Sequence, residues 1–396
     1  MRIATLTGLT LVLVAARTYA AECPGATETT TLPLPVWATD PNEGSTYGAM
    51  PVFVHVCKET KQTEWIVAPS MTWNDLNELT GTLRIYDYPD PVTSLSLVAS
   101  GSTHVNYEVL AIAERMPTEV GEFTDEANLR IERSIFDRFY GIGPDTKASA
   151  ESSYTGSRIR ATVRRGLNLP AHVNVGLTLG FERDGVNDQG VPGLPLAPMA
   201  FPDAPGMAGA TTMSQGLDVR YDDRTGRDFA ASGLRLDAAG AVVEGLDGSP
   251  NFFRFRAEGR ALWPELSWLS GASHLLWTAV TADDAPFYLQ SELGGAFLLR
   301  GFNFGRFIDR QAWTVEVEQR IRILQTHMFG VTTDWRVDPF VTAGQVFSNW
   351  DEALDKPQFA YGVGLRAFVH PNIVGRIDLA TGGEGVKVYV EIGYPY

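Results

Sequence analysis

Past its first residues the chain has no apolar run of the roughly 18–20 residues that a membrane-crossing helix needs, so any passage through a bilayer must be made by strands. Basic charge is short: 32 lysines and arginines against 47 aspartates and glutamates leave a net charge of −15. Phosphate backbones are bound by basic surfaces, and this balance excludes nucleic acid as a partner. Cysteine is reduced to Cys23 and Cys57, too few for a disulfide scaffold. Between those two, one bond closing the N-terminal segment and a pair of unbridged thiols both remain open. The six histidines (His55, His104, His172, His274, His327 and His370) fall at no metal-ligand spacing, and no GxSxG nucleophile elbow occurs. An enzyme, a metal centre and a cofactor are therefore not expected. Helical periodicity of useful length is missing throughout.

What the chain does have is alternation. In the segment 314–323, Val315, Val317, Ile321 and Ile323 fall on one side while Glu316, Glu318, Arg320 and Arg322 fall on the other, the period of two that a strand imposes. The last segment repeats it, with Val386, Val388, Val390, Ile392, Tyr394 and Tyr396 opposing Lys387, Tyr389, Glu391 and Gly393. Earlier segments agree, Phe253, Phe255 and Ala257 opposing Arg254, Arg256, Glu258 and Arg260. One face suits lipid and the other water. A soluble sandwich alternates too, but the N-terminus argues for export: Arg2, an apolar stretch from Ile3 to Ala16 and small residues around Ala20 and Ala21 have the order of a secretory signal, residues 1–21. Glu22 stands where acylation of Cys23 would need a small residue.

Residues 22–63, rich in Thr, Pro and Ala, read as an extended periplasmic tail, with the valine-rich 51–57 open between a strand and a plug. From residue 64 to 396, alternating segments recur as about sixteen strands with connections of alternating length, which predicts an all-β, transmembrane antiparallel β-barrel in the bacterial outer membrane. The longest connections, 183–212 and 282–310, fall on one face, and the link at His370, Pro371 and Asn372 is a tight turn. Gly393 and Pro395 weaken the end of the last strand, so the seam between last and first strands is expected to be soft. Tyr394 and Tyr396 read as a C-terminal targeting signal or as part of an interfacial aromatic girdle.

Three motifs carry a resemblance to a known family: Arg300, Gly301 and Phe302 inside LLRGFNFGRF; the stretch from Tyr221 to Gly233; and Glu318 with Arg320. Over roughly residues 60–396 the chain resembles the BamA/TamA-type outer-membrane proteins, barrels that insert or translocate other proteins. The resemblance implies that loop 282–310 folds into the lumen and that Arg300 meets a carboxylate on the wall, which a guanidinium can hold through two hydrogen bonds. Glu316, Glu318, Asp378 and Glu391 have the inward parity to be that carboxylate, and the choice among them stays open. Gly301 would allow close backbone approach and Phe302 would anchor the turn.

Two departures qualify the resemblance. Thr342 stands where the family usually carries an inward aspartate, and residues 22–63 are too few for the periplasmic docking (POTRA) domains of the insertases. The expected role is protein or lipid handling at the outer membrane by a monomeric barrel, its partners outer-membrane lipid, other outer-membrane proteins or a separate docking module. A passive pore and a surface structural or adhesive protein are the alternatives.

Overall fold

A computed structural model of the chain describes residues 23, 25–60, 62–225, 232–328, 331–369 and 373–392. The leader at 1–21, the turn at 370–372, most of the turn near 226–231 and the C-terminal Gly393, Tyr394, Pro395 and Tyr396 lie outside them.

One antiparallel sheet closes on itself. Its strands are β1 (Thr27–Asp40), β2 (Gly44–Cys57), β3 (Thr63–Val67 continuing as Ser70–Asn74), β4 (Glu78–Asp90), β5 (Thr93–Ser102), β6 (Tyr107–Arg115), β7 (Phe123–Phe139), β8 (Ser152–Leu169) and β9 (Val173–Asn187). The second half comprises β10 (Ala210–Asp222), β11 (Gly233–Gly245), β12 (Phe252–Leu266), β13 (Leu269–Val280), β14 (Gln311–Met328), β15 (Val331–Phe347), β16 (Gln358–Val369), β17 (Ile373–Thr381) and β18 (Val386–Ile392). Each pairs with its sequence neighbour, and β1 meets β18 to complete the circle. The barrel therefore has eighteen strands among the described residues, not about sixteen.

The two additional strands lie in the segment read as a tail. Every expected strand from residue 64 onward has its counterpart, but β1 and β2 form a hairpin in full register from Thr27↔Cys57 to Asp40↔Gly44. Pro33 and Pro35 make β1 look unlike a ladder strand, because proline donates no hydrogen bond. They are tolerated here because a strand at the seam has one edge where donors are not required. The wall thus begins at Thr27 and not at residue 64.

Alternation sets the two faces as expected. In β14, Glu316, Glu318 and Arg320 are buried toward the lumen, while Val317 and Ile323 are 44% and 57% exposed on the outside. Such apolar side chains are stable outside only against lipid tails. Short turns such as 91–92, 170–172 and 267–268 join strands at one end, and the long connections 140–151, 188–209, 281–310 and 348–357 all leave from the other.

A disulfide joins Cys23 to Cys57, tying the residues ahead of β1 to the far end of β2. It closes a 34-residue separation, worth at most about 3–4 kcal/mol in chain entropy. We expect the double variant Cys23→Ser/Cys57→Ser to lower the temperature at which the folded barrel converts to its slow-migrating form on gels, without preventing membrane insertion. Free thiols on both peptides in unreduced protein would contradict the bond.

Candidate functional site: a loop latched inside the barrel

The connection between β13 and β14 does not extend into solvent. It doubles back as a small hairpin, Ser291–Leu293 pairing with Phe307–Asp309, and its tip folds against the inner wall. Gly294 donates its backbone N–H to the Leu298 carbonyl and Gly295 donates to that of Phe302, which tightens the tip.

At the tip sits Arg300, fully buried. A buried guanidinium is stable only when its charge is met, and the wall meets it with three carboxylates. Its Nε donates to Glu316 Oε2 at 3.0 Å, Nη2 donates to Glu316 Oε1 and, at 3.1 Å, to Glu318 Oε2, and Nη1 lies 3.2 Å from Asp378 Oδ2. The Phe340 ring lies beneath, its centroid 3.4 Å from the guanidinium carbon, a cation–π contact between two buried groups.

The acids are shared. Arg320 donates to Glu318 at 2.9 Å, Arg366 donates to Asp378 at 2.6 Å and lies 3.4 Å from Asp338, and Arg376 donates both to Asp378 and to the Ala296 carbonyl of the loop. Four arginines and four carboxylates thus form one buried network linking β14, β15, β16, β17 and the loop.

The neighbouring residues hold the backbone. Gly301 has φ +119°, and a Cβ there would lie 2.8 Å from the Thr381 carbonyl carbon and 2.9 Å from the Gly382 nitrogen. Both obstacles are wall backbone, so Gly301→Ala should lift the tip off the wall. The combined strain and clash is worth about 1–3 kcal/mol, read as faster proteolysis within 282–310. Phe302 packs with Leu293, Leu299, Phe307 and Val346, and Gly382 leaves room for its ring. Tyr389 on β18 bridges the motif: its hydroxyl accepts from the Gly301 N–H at 3.3 Å and donates to the Phe302 carbonyl at 2.7 Å.

Arg300, Gly301 and Phe302 therefore meet Glu316, Glu318 and Asp378 in one place. Glu391 stands apart, cross-strand from Arg376 on the β17–β18 ladder. Thr342 lies opposite Glu316 on β15, and the same strand contributes its acid at Asp338, four residues earlier on the same face. Sequence reasoning missed Phe340, Tyr389, Asp338, Arg366 and Arg376 as parts of the site. Inward parity was the available signal for all but Phe340, an apolar residue on the charged side.

A second arginine secures the loop where it emerges. Arg306 pairs with Glu384 of the β17–β18 connection, donates to the Thr146 hydroxyl and carbonyl in the 140–151 connection, and lies over the rings of Tyr140 and Phe307. Phe287 and Ile308 of the loop pack with Phe139, Tyr154 and Ala197, and the Phe287 N–H donates to the Pro205 carbonyl. Three long connections thus join as a cap over this end. Other inward arginines, such as Arg164 with Asp218 and Glu126, form ion pairs along the wall.

A closed barrel with lipid-suited outer walls, whose longest loop enters the lumen and is latched by a buried arginine, is a β-barrel of the outer-membrane type. An Omp85 superfamily domain matches residues 115–380, more than half of the chain, and the protein belongs to that superfamily. Among solved structures, BamA from Haemophilus ducreyi lacking POTRA domains 1-3 superposes with a TM-score of 0.56 at 14% identity, over 98% of this chain and 78% of that one. CdiB from Escherichia coli gives 0.50 at 10% identity over 94% of this chain and 63% of that one, so the chain spans less than two thirds of CdiB. At such identities the likeness is one of fold alone. No curated protein matches the chain.

Proposed function

We propose that this barrel acts in outer-membrane protein or lipid handling by opening at the seam between β1 and β18. The observation that carries the proposal is the pairing at that seam. Among the described residues β1 and β18 pair at a single register position, Thr39↔Val390, whereas β1 and β2 pair along all 14 residues of β1.

The chemistry of the edge agrees. Pro33 faces Pro51 across the hairpin, and opposed prolines fit only a pair that exchanges no hydrogen bonds. Pro33 therefore turns its donorless nitrogen away from β2, to the seam side of β1, as does Pro35, two residues on. A proline nitrogen offers no hydrogen bond to a neighbouring strand, so these two positions hold the seam less firmly than a full ladder would.

The wall beside the seam differs from the charged lining elsewhere. Met50, Val52 and Ala68 form an inward apolar cluster with Leu32, Leu34, Val36, Val54 and Ile66, a surface suited to an apolar side chain or an acyl chain entering from the seam. Tyr389 ties the latch to β18 one residue before Val390, so the latch and the seam strand move as neighbours. A passive pore is the weaker reading, because the loop and cap fill one end of the lumen.

The test is reconstitution. Liposomes containing the barrel should speed membrane insertion of an unfolded outer-membrane β-barrel substrate relative to empty liposomes, with little steady conductance in planar bilayers. Steady conductance without acceleration would favour the pore.

A further inference from the structure

On the lipid-facing wall, far from the seam, strands β5 to β9 enclose a groove of about 520 Å³ near the short-turn end. Its shape follows from one cross-strand row: Leu95 faces Ala113, Ala113 faces Ala127, Ala127 faces Val163 and Val163 faces Leu179. Two alanines between larger side chains leave a trough whose side is formed by Leu177, Leu179 and Val163, all more than half exposed.

The next row toward the short turns is charged. Thr93, Arg115, Asp125, Arg165 and Leu177 stand side by side across the same five strands. Charged groups on the outer face of a membrane barrel are tolerated near the interface and not at mid-depth, so this row marks the headgroup level. Arg165 lies over the Phe123 ring at 4.6 Å, with its Nε 3.4 Å from Asp125. Arg115 donates to the Phe123 carbonyl and lies 3.9 Å from Glu122. Both arginines stay largely accessible, with side chains 65% and 47% exposed.

We propose that this groove binds one phospholipid of the periplasmic leaflet, its acyl chain in the alanine trough, its phosphate on Arg115 and Arg165, and its headgroup ammonium on Asp125. Guanidiniums flanking a carboxylate complement a headgroup that carries both charges, which favours a phosphatidylethanolamine over an anionic lipid. The assignment rests on the outer-membrane reading, with the short-turn end at the periplasmic leaflet, and is independent of whether the seam opens. The groove volume falls within the roughly 300–1,000 Å³ of ligand sites.

Native mass spectrometry of the intact barrel in detergent, with phosphatidylethanolamine, phosphatidylglycerol and lipopolysaccharide added in turn, tests the site. One phosphatidylethanolamine should survive activation that strips the other two. Arg165→Gln should weaken retention roughly tenfold, the effect of losing one charge-assisted contact. Filling the trough with Ala113→Leu/Ala127→Leu should abolish it, while Ala257→Leu on the lipid face of β12 should not. Heat-modifiable migration verifies that each variant is folded. Equal retention in the filled variant, or no headgroup preference, would mean ordinary annular lipid and overturn the site. Preferential retention of lipopolysaccharide would overturn it as well, by placing this end in the outer leaflet.

Discussion

Arg300→Ala releases the inner loop while the wall stays closed. Removing one partner of a buried ion pair costs about 3–5 kcal/mol, because the remaining charges keep their desolvation and lose their counterion. Here three acids, Glu316, Glu318 and Asp378, lose the guanidinium that joins them. That penalty falls on the loop and not on the ladder, since the strand pairs of β13, β14 and β15 make no use of the arginine. Limited proteolysis should show cleavage within 282–310 that the wild type resists, with unchanged fast migration on unheated gels. Arg300→Lys should fall between the two, because an ammonium keeps the charge but cannot bridge two carboxylates with fixed geometry. Resistance equal to wild type in the alanine variant would mean that the Phe302 cluster and Arg306 hold the loop without the latch.

How much of this could be read in advance depended on whether a residue obeyed the two-residue period. The charged and apolar sides of β14 and β17 alternate, and that parity already placed Glu316, Glu318 and Asp378 inward together. Glu391 has the same parity yet lies too far along β18, because parity specifies a face and says nothing about depth along the barrel. The β1–β2 hairpin was hidden by Pro33 and Pro35, whose effect on a ladder depends on which edge the nitrogen faces. That edge is a property of the closed barrel. Its apolar side, with Leu32, Leu34 and Val36, points inward. Phe340 was hidden for a related reason: an apolar residue on a charged face looks like a break in pattern until Arg300 is placed over it. Tyr389, by contrast, was on the inward side of its strand, and only the folded loop gives its hydroxyl partners.

If the seam opens, the largest functional effect should come from closing it. Thr39 and Val390 face each other across the β1–β18 ladder, at the separation of directly opposed residues, roughly 4.5–5.5 Å, which a disulfide can span. The variant Thr39→Cys/Val390→Cys, with the Cys23–Cys57 bond left intact, should fold, insert and migrate as the wild type does. The decisive measurement is the rate at which proteoliposomes carrying this variant insert an unfolded outer-membrane barrel substrate, oxidised and then reduced. A gating seam predicts that oxidation brings the rate down to that of empty liposomes and that reduction restores it. An oxidised barrel as active as the reduced one would contradict lateral opening.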